Sequence, residues 1–81
     1  MTVTVHFHSY FKDLAGCVQT TEAVSPGATI GDLHERLMDR LPQLRAMRKS
    51  TLIAVGVEDQ PPGYVLKEGD EVSLFPPVQG G

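Results

Sequence analysis

The stretch Glu71-Val72-Ser73-Leu74-Phe75-Pro76-Pro77-Val78-Gln79-Gly80-Gly81 decides how the sequence is organised. Its first five residues alternate like a strand, and two prolines then end the pairing because proline has no N–H to donate to a sheet ladder. The glycines have no Cβ atoms, so another protein could close tightly around their backbone. Extended, residues 76–81 reach roughly 20 Å. We predict a folded domain over residues 1–75 and a flexible tail over residues 76–81, with a free α-carboxylate on Gly81. A frayed chain end is the alternative.

The composition is that of one small domain. At 81 residues the chain is near the lower limit for folding around its own hydrophobic core. Its single cysteine, Cys17, excludes an internal disulfide and is expected to be a packing or turn residue. The net charge of −3 argues against nucleic acid as a partner. We find no membrane-spanning run and no signal-peptide pattern, so we expect a cytoplasmic location and no membrane partner.

Two strands are predicted in the first third of the chain. Residues 2–8 alternate between apolar and polar side chains, which indicates a half-buried strand. Its core-facing side chains are Val3, Val5 and Phe7. Residues 9–16 are predicted to be a loop or short turn, with Leu14 dipping into the core. Residues 18–24, rich in valine and threonine, form a second strand, antiparallel to the first if a hairpin connects them.

One clear helix is predicted, beginning at Thr29. Thr29 is a good N-cap, and Asp32 makes a capping-box-like pair with it while placing negative charge at the positive end of the helix dipole. Pro42 ends the regular helix. An apolar stripe at three- and four-residue steps faces the core. Its members are Ile30, Leu33, Leu37, Leu41 and Leu44. His34 lies off the stripe and is predicted to be solvated.

The last part of the chain predicts two more strands. Residues 52–57 are almost continuously apolar, as expected of a central strand buried on both faces. Residues 58–63 are predicted to be a loop. In the final strand, Val72 and Leu74 face inward and Phe75 faces outward. The order ββαββ, with one helix packed across a mixed sheet, commonly places the last strand parallel to the first and inside the sheet. This is an α+β, β-grasp fold.

Two groups of polar residues carry alternative interpretations. His6 and His8 share one strand face, but no third metal ligand is apparent nearby, so we expect no metal site. Five basic residues cluster around the end of the helix: Arg36, Arg40, Arg45, Arg48 and Lys49. A solvated helix face explains them, and recognition of an acidic surface or an anionic ligand is the alternative. We find no set of residues with the spacing of a catalytic site.

Taken together, these features resemble the MoaD/ThiS sulfur-carrier family, which are ubiquitin-like β-grasp proteins. The sequence is most similar to the MoaD members, the small subunits of molybdopterin synthase. The matching motifs run along the whole chain: Asp13-Leu14-Ala15-Gly16, Pro26-Gly27-Ala28-Thr29, Ala54-Val55, Leu66-Lys67-Glu68-Gly69-Asp70-Glu71-Val72, Phe75-Pro76-Pro77-Val78 and Gly80-Gly81. A Gly-Gly end alone is weak, whereas Gly-Asp-Glu-Val followed by Pro-Pro-Val-x-Gly-Gly is strong.

The resemblance implies that Gly81 carries the chemistry. An E1-like enzyme of the MoeB/ThiF type would adenylate its carboxylate with ATP, and a sulfur donor protein would convert the adenylate to a thiocarboxylate. A MoaE-like large subunit would then receive the tail, and the sulfur would pass to precursor Z to form molybdopterin. No cofactor is expected on this chain, which would not be catalytic alone. The residues threading the partner would be Pro76, Pro77, Val78, Gln79 and Gly80.

The resemblance also implies a docking surface at the base of the tail. Phe75 matches a usual aromatic position, a plausible docking contact. His8 and Asp59 are assigned to the same surface, although the better-known members have apolar residues there, and Gly56 stands where asparagine is usual. These departures leave open a paralogous carrier for thiamine, cysteine or another thiolated metabolite, although the Phe-Pro-Pro-Val ending favours MoaD. A ubiquitin-like modifier or interaction module is the third hypothesis.

Overall fold

A computed structural model describes residues 1–77 of the chain. The elements in order are β1 (Thr2–Phe7), α1 (Phe11–Ala15), β2 (Gln19–Ala23), α2 (Ile30–Arg40), a 3₁₀ segment (Pro42–Ser50), β3 (Leu52–Val55), β4 (Glu58–Asp59) and β5 (Glu71–Phe75). The strands form one mixed sheet in the order β2-β1-β5-β3-β4. Among residues 1–77, no helix has the length and hydropathy of a membrane span.

The last strand lies in the centre of the sheet, as the sequence predicts. β5 runs parallel to β1, with Val5 opposite Val72 in register. On its other side β5 runs antiparallel to β3, with Ile53 opposite Leu74. Both edges of β5 are therefore hydrogen-bonded, and the chain reaches residue 75 from the middle of the sheet. The predicted α+β, β-grasp fold is confirmed.

The helix α2 begins with the predicted capping box. The Asp32 N–H donates to the Thr29 hydroxyl at 3.2 Å, and the Thr29 N–H donates to the Asp32 carboxylate at 3.0 Å. Two N–H groups that the helix start leaves unpaired are thereby satisfied. The buried side chains of α2 are Ile30, Leu33, Leu37 and Met38, and Leu44 of the 3₁₀ segment joins them. Leu41 is only partly buried. The predicted stripe is otherwise confirmed, with Met38 added to it.

The segment after β1 is a short helix rather than only a loop. Phe11 on α1 is buried in the core, whereas Leu14, the residue assigned to the core, packs at its margin. Gly16 ends α1 at φ +77°, a left-handed conformation in which glycine has no Cβ penalty. The Tyr10 hydroxyl lies 3.4 Å from the Met47 sulfur and links this region to the 3₁₀ segment.

The apolar run at 52–57 is not a central strand buried on both faces. The strand β3 stops at Val55, and Val57 is 99% exposed in the turn to β4. Leu52 is 54% exposed. The interpretation was wrong because helices cover only one face of this sheet, so one side of every strand is left open. The predicted loop over 58–63 likewise begins with the short strand β4.

A carboxylate is buried beneath α2. Glu22 points inward from β2 and is only 2% exposed. Arg40 donates a hydrogen bond to it, and the Arg36 guanidinium lies 3.8 Å away. Burying a charge is costly unless it is paired. The two arginines therefore offset the free-energy cost of removing the Glu22 carboxylate from water.

The other arginines near the end of α2 are paired at the surface. Arg45 donates to Glu35 at 3.0 Å and to Asp39 at 2.6 Å, and Arg48 lies 3.2 Å from Glu35. The hydrogen bond from Arg45 is the main reason that the pKa of Glu35 is lowered. His34 is partly buried rather than fully solvated as predicted, and that burial, helped by Arg48, lowers its pKa.

We expect Leu37→Ala to destabilise the fold by about 2–5 kcal/mol, because it opens a cavity in the core. Leu37 is fully buried. The free energy of unfolding in urea is the measurement, and Leu52→Ala is the control because it removes the same atoms from a half-exposed position. Equal effects of the two variants would contradict the assignment of the α2 core face.

We expect Arg40→Met to cost about 1–3 kcal/mol of unfolding free energy, because it leaves the buried Glu22 carboxylate without its hydrogen-bond donor. Adding Glu22→Gln to this variant removes the buried charge and should restore part of the loss. Arg45→Met, which removes two surface ion pairs, should cost less. If the double variant were no more stable than Arg40→Met alone, the uncompensated charge would not be the cause.

Candidate functional site: the open face at the base of the tail

The sheet has one face that α2 does not cover, which we call the open face. Along β5, Val72 and Leu74 are buried against the core, so Phe75 and its alternate neighbours point the other way. The pairing registers place further side chains on the same face. Across the neighbouring strands β1, β5, β3 and β4, these side chains are Thr4, His6, Ser73, Leu52, Ala54 and Asp59.

Phe75 lies between two neighbours at the end of the open face. The His8 ring stacks on Phe75 with ring centroids 4.3 Å apart and an angle of 13° between the planes. The backbone of His8 is held there because its main-chain N–H donates to the Leu74 carbonyl at 3.2 Å. On the other side, Leu52 stands opposite Phe75 in the antiparallel register. The structure thus brings together His8, Phe75 and Leu52 where β5 leads into Pro76.

The resemblance places Phe75 and His8 on this surface, and the structure adds Leu52, which the sequence does not indicate. The leucine was hidden in an apolar run that was interpreted as buried. Its position on this surface follows from its register opposite the last residue of β5, which the apolar run itself does not reveal.

Asp59 lies on the open face but away from Phe75. Asp59 is exposed on β4 and stands opposite Ala54 of β3. Ala54 lies two residues after Leu52, which is the residue opposite Phe75. The third departure, Gly56, is explained by its backbone. Gly56 has φ +63° in the turn between β3 and β4. Glycine and asparagine are the residues that most readily adopt this left-handed conformation, so either can fill the position.

The histidines of β1 have separate surroundings. The His6 Nε2 atom lies 2.8 Å from the Glu71 carboxylate on the open face. The His8 Nε2 atom is buried and has no hydrogen-bond partner in the part of the chain that the structure describes. Within residues 1–77, no group of three or more potential metal ligands is found.

The tail begins immediately after this site. Pro76 and Pro77 are partly buried and follow β5 without regular secondary structure. Val78, Gln79, Gly80 and Gly81, to which the sequence assigns threading and the reactive carboxylate, lie outside the described residues. Their roles stay predictions.

Comparison with known proteins decides the family. The model of the ThiS family matches residues 5–81. The chain belongs to the ThiS family. It is 30% identical over 83 residues to the molybdopterin synthase sulfur carrier subunit of Chlamydomonas reinhardtii, with all of both chains covered.

Two solved structures extend the comparison of this ThiS-family chain. SAMP1 from Haloferax volcanii matches with a TM-score of 0.87 at 26% identity, covering all of both chains. The putative molybdopterin converting factor subunit 1 from Pyrococcus furiosus matches with a TM-score of 0.87 at 28% identity, covering 96% of this chain and 99% of that one. Both similarities span the whole β-grasp domain.

Proposed function

We propose that this chain is a sulfur-carrier protein and the small subunit of a molybdopterin synthase. Gly81 would be adenylated, converted to a thiocarboxylate, and used to donate sulfur during molybdenum cofactor synthesis. The observation that carries the proposal is the full-length similarity to a relative named as a molybdopterin synthase sulfur carrier subunit. The ThiS-family match, which extends to Gly81, supports it.

The chemistry explains why such a carrier needs an activating enzyme. A carboxylate is a poor electrophile, so its oxygen must first become part of a leaving group. Reaction with ATP forms the acyl-adenylate and releases pyrophosphate. The terminal sulfur of a persulfide on a donor protein then attacks the carbonyl carbon, the C–S bond forms, and AMP leaves. A thiol then reduces the S–S bond of the resulting acyl disulfide, which releases the thiocarboxylate and leaves the donor in a disulfide with that thiol. The chain supplies the carboxylate, whereas an E1-like enzyme of the MoeB/ThiF type would supply the catalytic groups.

The fold gives the tail a fixed starting point. β5 is hydrogen-bonded on both sides, because β1 pairs with it as far as Leu74 and β3 pairs with Phe75 itself. Pro76 and Pro77 have restricted φ angles, which limits the directions that the chain can take from there. For a partner bound to the open face around Phe75, the start of the tail would therefore have a fixed position and a limited range of directions.

The open face offers the contacts for such a partner. Phe75 and Leu52 present apolar surface next to the stacked His8 ring. Aromatic and aliphatic anchors at the centre of an interface commonly carry much of the binding energy. We propose that the large synthase subunit docks here, with Asp59 at the rim of the contact.

Two further functions use the same terminus. The ThiS-family match also suits a carrier that delivers sulfur to thiamine, cysteine or another metabolite. Similarity to SAMP1, whose name stands for small archaeal modifier protein 1, favours a modifier whose Gly81 forms an amide with a lysine. A thiocarboxylate on Gly81 separates the carriers from a dedicated modifier.

Deleting Gly80-Gly81 should abolish thiocarboxylate formation and leave the fold intact. The assay supplies ATP, an activating enzyme and a sulfur donor, and follows the C-terminal peptide by mass spectrometry. Thermal unfolding of the same variant should be unchanged, since the sheet ends at Phe75. Sulfur transfer to the truncated chain, or loss of its cooperative unfolding, would contradict the division between domain and tail.

Leu52→Asp should weaken binding to the large synthase subunit about tenfold or more, because it places a charge in the apolar contact. Val57→Asp is the matched control, since Val57 is the more exposed residue and lies in the β3–β4 turn. Its effect should stay below about twofold, within the range of a surface change. Equal weakening by both variants, measured by titration calorimetry, would place the interface elsewhere.

A further inference from the structure

The two edges of the described sheet differ in how they are protected. Free edge strands can pair with other chains, and proteins commonly block them with short strands, charges or proline. The β4 edge is blocked in this way, because it has only two residues and both are acidic. The β2 edge has five residues, Gln19–Ala23, without lysine or proline. This edge is open to strand addition.

The hydrogen-bond pattern identifies the backbone groups that are available. The Val24 N–H donates to the Met1 carbonyl, and the Val18 carbonyl accepts from the Phe7 N–H. In an antiparallel pair, alternate residues point their backbone groups to alternate sides. The even-numbered residues of this strand therefore bond to β1. The N–H and C=O groups that face away from β1 belong to Gln19, Thr21 and Ala23.

Two half-exposed arginines lie on the surface beside this edge. Arg36 and Arg40 reach from α2 to the buried carboxylate of Glu22, which both arginines share. The two arginines and one glutamate leave a net charge of +1. About half of each arginine side chain is exposed, 49% for Arg36 and 53% for Arg40. Each guanidinium can therefore donate hydrogen bonds to a second carboxylate, one that belongs to a partner protein.

A hollow with both polar and apolar walls continues this surface at the start of α2. A cavity of about 380 Å³ opens between the end of β2 and the helix, and Val24, Ala28 and Leu33 contribute its apolar wall. Arg36 lines its other side. Asp32 also lines the hollow and brings a negative charge to the end nearest the helix start, where its carboxylate accepts from the Thr29 N–H in the capping box.

We propose that the β2 edge binds an extended acidic segment of a partner protein, which adds to the sheet as a further strand. Its main chain would pair with Gln19, Thr21 and Ala23. Along a strand, every second side chain points to the same face. An acidic residue beside Glu22 would therefore contact the two arginines, and an aliphatic residue two positions away would enter the hollow next to Val24.

Charge argues for this occupant over a second copy of the chain. A two-fold pairing of two β2 strands around Thr21 would bring the arginine pairs of both copies together, each with its net positive charge. Like charges at an interface are unfavourable. The binding surface is also separate from the open face, because the arginines and the hollow lie on the side that α2 covers. It is independent of the sulfur chemistry proposed above.

The test is a titration of the full ¹⁵N-labelled chain with two synthetic peptides, acetylated and amidated at their ends. The probe is Thr-Leu-Thr-Asp-Thr-Leu-Thr, which reads the same in both directions and so suits parallel or antiparallel pairing. The control is Thr-Leu-Asp-Thr-Thr-Leu-Thr, which has the same composition with the acid moved to the other strand face. We expect the probe to shift the amides of Gln19, Thr21 and Ala23 and to bind more tightly than the control.

Variants separate the contributions of backbone and charge. Thr21→Pro should weaken binding of the probe at least about tenfold, because it removes a donor that β1 does not use while leaving the β1–β2 ladder intact. Arg36→Gln should weaken it about two- to fivefold, the usual effect of an exposed ion pair. Arg45→Gln makes the same charge change away from β2 and should have no effect.

Three results would overturn the proposal. The first is the absence of shifts in β2 at millimolar probe, or shifts confined to the open face around Phe75. The second is equal binding of the two peptides, or equal effects of Arg36→Gln and Arg45→Gln. The third is a shift of the β2 amides with rising protein concentration in the absence of peptide, which would make a second copy the occupant.

Discussion

The parallel pairing of β1 with β5 determines where the other strands and the helix α2 can lie. It brings the end of the chain into the middle of the sheet, so that β3 can pair on the other side. The helix α2 must then cross from one outer part of the sheet to the other, and its apolar face covers the core. Phe75 emerges from this centre beside His8 and Leu52. The base of the tail is therefore among the best-anchored points of the fold.

Much of this arrangement could be predicted from local patterns. The alternation in residues 2–8, the Thr29 cap and the stripe containing Leu37 depend on short-range rules that the final structure obeys. The parallel position of β5 followed from the order of elements. The tail chemistry followed from resemblance to a family, and neither periodicity nor spacing could have supplied it.

The failures concern contacts between residues distant in the sequence. Phe11 is buried because it lies on the core-facing side of the short helix α1. Glu22 lies in an apparently ordinary polar strand, and its burial depends on Arg40 eighteen residues later. Leu52 was assigned to the interior because an apolar run does not reveal which faces of a sheet are covered. Glu22 and Leu52 contribute to an ion pair and to a surface that the sequence did not predict, and Phe11 adds a side chain to the core.

An intact-mass measurement of the protein purified from its own cells would show whether Gly81 carries sulfur. We expect a population in which one oxygen of the C-terminal carboxyl group is replaced by sulfur, localised to the peptide that contains Gly81. A terminus that remains a plain carboxylate in the cell, and also when ATP, an activating enzyme and a sulfur donor are supplied, would contradict this expectation.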